Sequence, residues 1–172
     1  MRTSSVLVAA ALASLAAPTL AHPVFSQPEA VAGSHWAGEL RIGHGCDGSP
    51  TTSIRVEMPE QLLVVRAQPK AGWELTIERE PLSEPVAGEG GRLITERVSA
   101  VTWTGRLPDD QFDAFGLAAR LPDTAGPLAF AVIQTCESGQ VRWSETAGPD
   151  EARPAHPPAV LRLSAASGHG HH

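Results

Sequence analysis

Short runs of alternating apolar and polar residues recur along most of this chain, and they limit its fold more than any other feature. Trp36, Gly38, Leu40 and Ile42 share one face, with Glu39 and Arg41 on the other. Ile54, Val56 and Met58 repeat the pattern, as do Trp73, Leu75 and Ile77. Val101 with Trp103 follows, then Leu128, Phe130 and Val132, Val141 with Trp143, and Leu161 with Leu163. A period of two marks strands with one buried face. Turn residues punctuate the runs: Asp47-Gly48, the Pro69 to Gly72 stretch, the glycines from Gly88 to Gly91, Pro108-Asp109-Asp110 and Ser138-Gly139. With 16 Gly and 15 Pro in 172 residues, many short strands fit the composition better than long helices. Residues 110–119 form the only helix candidate. Seven to nine strands in roughly 145 residues predict an all-β, two-sheet antiparallel sandwich, immunoglobulin-like or cupredoxin-like.

The first residues read differently. Arg2 precedes an apolar run over residues 6–17, and small residues stand before His22. This is the layout of a secretory signal peptide over residues 1–21, cut after Ala21. A twelve-residue helix would reach only about 18 Å, short of the ~30 Å hydrocarbon core of a bilayer. The expected organisation is a signal at 1–21, one domain at 22–164 and a flexible His-rich tail at 165–172, in a periplasmic or secreted protein. With 13 basic residues against 19 acidic, the net charge of −6 argues against nucleic acid as a partner.

Export bears on Cys46 and Cys136. An even pair in an oxidising compartment is expected to form a disulfide, closing a loop of about 90 residues. A thiolate pair holding Cu(I) is the alternative. No nucleophile, phosphate-loop or zinc-protease motif is present, so the histidines carry the chemical interest. Signal cleavage makes His22 the first residue, with a free α-amine and an imidazole able to chelate one metal ion. Nitrogen donors in a tetragonal arrangement suit Cu(II). Pro23 has no amide N–H, which closes the mode that recruits successive backbone amides. The plain reading is a residue that merely follows a cleavage site.

The stretch from His44 to Gly48 makes a tight turn presenting His44 and Asp47, unless Asp47 only caps the turn and His44 is solvated. A disulfide would pin this turn near Glu137 and Trp143, making Glu137 and His44 secondary metal candidates. Trp143 on its own reads as core. His169, His171 and His172 suit loose metal binding or simply a solvated tail.

Several motifs in order resemble the YcnI-like copper-binding family. They are Ala21-His22, His44-Gly-Cys-Asp-Gly-Ser-Pro-Thr-Thr52, Met58-Pro-Glu60 and Pro69-Lys-Ala-Gly-Trp73. Val101-Thr-Trp-Thr-Gly105, Leu107-Pro-Asp-Asp110, Gln134-Thr-Cys-Glu137 and Val141-Arg-Trp143 complete the set. The resemblance implies an immunoglobulin-like sandwich and a Cu(II) site built on a single N-terminal histidine, a mono-histidine brace. Carried across, His22 is the brace, Trp143 is the Trp beside the metal, and Asp47 is the candidate carboxylate. The function this implies is non-enzymatic copper acquisition or homeostasis, with the copper ion as ligand and a periplasmic chaperone or membrane copper transporter as exchange partner. Two other classes remain: a copper oxidase of the lytic polysaccharide type, and an adhesion sandwich without metal.

Overall fold

The computed structural model describes residues 22–148, 152 and 154–166. The signal segment and the histidines of the tail lie outside the described residues. Eleven strands are seen among those described: β1 (Val24–Phe25), β2 (Glu29–Val31), β3 (His35–Ile42), β4 (Thr51–Glu57), β5 (Val65–Ala67) and β6 (Glu74–Ala87), then β7 (Leu93–Leu107), β8 (Asp113–Arg120), β9 (Gly126–Cys136), β10 (Gln140–Trp143) and β11 (Ala159–Ser164). They form two sheets. One runs β1-β3-β8-β5, the other β2-β11-β9-β4-β7-β6, with β10 also paired to β9. All pairings are antiparallel except β2 with β11, which is parallel.

The alternation on β3 faces as the sequence predicts: Trp36, Leu40 and Ile42 are buried, while His35, Glu39 and Arg41 face water. Gly38 sits on the inner face because the Trp36 indole lies across it and leaves no room for a Cβ. The two sheets meet through aromatic edges. Phe25 and Trp36 of the smaller sheet pack with Phe130 of the larger, at ring separations of 5.2 Å (Phe25–Trp36) and 4.9 Å (Phe25–Phe130). Phe115 on β8 lies 4.9 Å from Trp73 and 5.3 Å from Trp103. Edge and tilted contacts of this kind add roughly 0.5–1.5 kcal/mol each beyond the area buried.

Residues 110–119 are a correction, since they form most of β8 rather than a helix. Phe115, Leu117 and Ala119 point inward at period two, while Gly116 and Ala118 occupy the other face. Small residues on the outer face of a central strand blur the alternation and imitate a helical pattern. The strand count exceeds seven to nine because β1, β2 and β5 have only two or three residues. Runs that short carry no period.

Candidate metal centre

The β3–β4 connection carries the sequence candidates. Cys46 and Ser49 exchange backbone hydrogen bonds of 2.9 Å each way, closing a two-residue turn at Asp47-Gly48. Asp47 has φ 47° and Gly48 φ 84°, the left-handed pair that a type I′ turn requires. Asp and Gly are among the residues that accept this backbone, so turn chemistry explains Asp47 at this position. Its side chain stands exposed at the apex.

The disulfide between Cys46 and Cys136 is present, with Cα atoms 6.1 Å apart. It fastens this turn, which leaves β3 of the smaller sheet, to the end of β9 in the larger one. Glu137 follows Cys136, and its backbone N–H donates to Pro50 O at 2.9 Å. Its carboxylate turns to Arg106, 2.8 Å from Nε. Glu137 therefore approaches the turn through its backbone while its charge is engaged elsewhere.

His44 is half-buried, and its Nδ1 lies on the carbonyl oxygen of Gly45. A carbonyl can only accept, so Nδ1 carries the proton in the neutral ring and Nε2 keeps its lone pair. Ligating histidines are commonly held this way. His22 arrives from the other direction. Val24 pairs with Arg41 and Phe25 with Leu40, so continuing that register sets His22 level with Gly43, one residue from His44. Pro23 is buried directly after it, and Phe25 enters the core. The start of β1 is thereby held at the same end of the sandwich as the Cys46 turn.

Gln134 is the residue that sequence reasoning missed. It is 2% exposed, and its amide nitrogen donates to His44 O at 2.7 Å and to Thr51 Oγ1 at 2.8 Å. Its Oε1 accepts the Trp143 indole N–H at 3.3 Å. Gln134 thus ties Trp143 to the His44 loop. The sequence does hold a clue, because Gln134 interrupts the inward face Leu128, Phe130, Val132 and Cys136, and a polar residue on such a face is the informative kind. Trp143 is 1% exposed and lies edge-on to His156, ring centroids 5.2 Å apart. His156 in turn bonds Glu145 through its backbone N–H at 2.9 Å and through Nδ1 at 3.1 Å. Those bonds hold the Glu145 carboxyl below its ordinary range.

Asp109, a turn residue within the Leu107-Pro-Asp-Asp110 motif, lies against the loop. A Cβ built on Gly45 would meet the Ser49 carbonyl oxygen and would come 2.8 Å from Asp109 Oδ1. Gly45 is therefore a steric requirement. Gly45→Ala should destabilise the fold by about 1–3 kcal/mol, in line with overpacking elsewhere. Urea unfolding measures this, and an unchanged midpoint would show that the turn can open without cost.

Among the described residues, no three His, Cys, Asp or Glu side chains are grouped to hold a metal ion. What the fold does collect is one end of the sandwich bearing His22, His44, Asp47, Asp109 and, beneath them, Gln134 and Trp143. The family described as "Domain of unknown function (DUF1775)" matches residues 22–163, which takes in every strand but the last residue of β11. The chain belongs to the DUF1775 family. This bears out the resemblance to YcnI-like proteins. "Copper-binding protein CutI" of Bacillus subtilis (strain 168) is 24% identical over 144 residues, covering 81% of this chain and 62% of its own length. The chain thus spans less than two-thirds of that relative. A DUF1775 chain of this shape is also similar to a solved structure, an uncharacterized protein from Nocardia farcinica reported to have an immunoglobulin-like fold. The TM-score is 0.64 at 22% identity, covering 84% of this chain and 99% of that one. Of the two sandwich types expected from the sequence, the immunoglobulin-like one is the fold.

Proposed function

We propose that this chain is an exported copper-binding protein that holds Cu(II) through the amine and imidazole of His22 and carries it, without catalysis, in copper acquisition or homeostasis. The observation that carries this reading is the register of β1 on β3, which, continued two residues, would set His22 level with Gly43 and next to the His44 and Asp47 loop. The similarity to a relative named as copper-binding supports the choice of metal. The donor set fits as well. A cage of three side chains is not among the described residues, and a brace does not need one. One N-terminal histidine gives two nitrogens, so a single carboxylate completes a tetragonal set with water. Asp47 supplies that carboxylate, with Trp143 as the aromatic neighbour and His44 and Glu137 as secondary candidates. A copper-loaded relay would then pass the ion to another exported copper protein or to a membrane transporter.

The test is a Cu(II) titration against a competing chelator, using protein that begins at His22. His22→Ala should weaken the first copper on the order of 100-fold, the effect of losing one of two chelating nitrogens. Asp47→Asn should weaken it by about ten-fold while Asp109→Asn leaves it unchanged. The reverse pattern would transfer the carboxylate role to Asp109. Copper bound equally tightly by His22→Ala would remove the brace altogether.

A further inference from the structure

We propose that a groove at the opposite end of the sandwich binds an extended, acidic segment of a partner protein. It lies between the tip of the β6–β7 hairpin and the outer face of the four-stranded sheet, with a volume of about 1210 Å³. β3 begins here at His35 and ends near the Cys46 turn, so the strand's length separates this groove from the candidate copper centre. The reading does not rest on copper.

The hairpin tip is latched in place. Glu89 lies 3.1 Å from His35 Nε2 and 3.3 Å from Arg120 Nε, while Arg120 also meets Asp123 at 3.2 Å. Both acidic groups of the groove are thereby engaged. Arg66 and Arg92, which also line it, have no hydrogen-bonded or ion-paired side-chain partner among the described residues. In a chain of net charge −6, two uncommitted guanidinium groups at one groove reverse the local sign. That arrangement recognises carboxylates, for which the guanidinium fork is the best-matched donor.

Shape selects the class of ligand. The volume exceeds the roughly 300–1,000 Å³ of ordinary small-molecule sites. The walls include Val64, 46% exposed, and Leu93, 68% exposed, which offer apolar contacts between the charges. β5 carries Arg66 and ends the strand order of its sheet, so its outer edge has no strand neighbour among the described residues. An exposed edge accepts an added strand, whose alternate side chains then fall on opposite faces. A strand alternating acidic and aliphatic residues matches this edge when its carboxylates fall on the groove face, towards Arg66 and Arg92.

The probe is a short peptide alternating glutamate and valine, acetylated and amidated, titrated into the whole metal-free chain and followed by amide NMR shifts. Shifts confined to β5, β8 and the hairpin tip are expected. Arg66→Gln combined with Arg92→Gln should weaken binding about ten-fold or more, without disturbing other resonances, because both side chains are exposed. The same peptide with N-methylated backbone amides should lose binding through lost edge pairing. His22→Ala should bind it unchanged, which keeps this result separate from the copper reading. The proposal is overturned if a lysine-valine peptide binds as well, if the double variant binds equally, or if no shift appears at millimolar peptide. Shifts with decanoate but not with the peptide would also overturn it, marking the groove as a site for small amphiphiles.

Discussion

Replacing both cysteines, Cys46→Ala with Cys136→Ala, should lower the unfolding free energy by about 4 kcal/mol. The sequence separation is 90 residues, and the chain-entropy account gives roughly 4–5 kcal/mol for closing a loop of that size. The bond constrains the unfolded chain by joining the β3–β4 turn to the end of β9, segments distant in sequence. In the folded state it does less, because other bonds hold the same junction. Thr51 pairs with Cys136 in the β4–β9 ladder, and Gln134 grips His44 O and Thr51 Oγ1. The folded variant should therefore keep its sheets while its denatured state expands. Alanine is the appropriate replacement, since Cys46 and Cys136 are buried and serine would add an unpaired hydroxyl there. Against total stabilities of about 5–15 kcal/mol, the loss is large enough to read from a urea midpoint. A rise in the urea dependence would accompany it, reporting the more exposed unfolded chain. A loss below about 1 kcal/mol would mean that the unfolded chain is already held compact and that the entropic account fails here.

The strands with one buried face were legible because each carries its own alternation. β3, β4, β7, β9 and β11 all place their marked apolar residues inside. The segment that misled, residues 110–119, lies between β3 and β5, where both faces carry small or apolar residues. Burial there is decided by neighbours far away in sequence, and no local period reports it. The disulfide was legible for a chemical reason, two cysteines in a chain read as exported, rather than from any pattern of spacing.

The candidate site was legible in its parts but not in its wiring. Asp47, His44 and Cys46 stand together in the sequence, so their turn could be read directly. Gln134 and Asp109 reach the same loop only through tertiary packing. Gln134 comes from the inner face of β9, and Asp109 from the turn after β7. Trp143 was linked to the metal by the resemblance, together with the disulfide expected to bring its strand to the Asp47 turn. The structure gives it a core position and commits its indole N–H to Gln134, so any influence on a bound ion passes through the His44 loop or across the ring. This makes Gln134 a positioning residue for the proposed centre, joined both to Trp143 and to the backbone of the His44 loop.

One residue added ahead of His22 should weaken the first Cu(II) on the order of 100-fold or more, while leaving the fold untouched. The extension turns the α-amine of His22 into an amide, so one nitrogen donor is lost and the imidazole remains. An amine with a pKa near 7.7–8 gives up its proton readily when a metal competes at neutral pH, whereas an amide N–H does not. Pro23 matters to this outcome. With no N–H of its own, it cannot offer a replacement donor beyond the imidazole. The buried side chains that anchor this end of the chain to the core are Pro23 and Phe25, and neither is altered by the extension. A hundred-fold loss corresponds to about 2.7 kcal/mol of binding. Chelator competition on the extended and native forms measures it, with urea unfolding as the control for intact structure. Removing residues 168–172 should abolish only weaker, additional copper. If the extended protein binds its first copper as tightly as the native form, the amine is not a ligand. His44, whose Nε2 has no hydrogen-bond partner among the described residues, or the tail histidines would then be the first donors to replace.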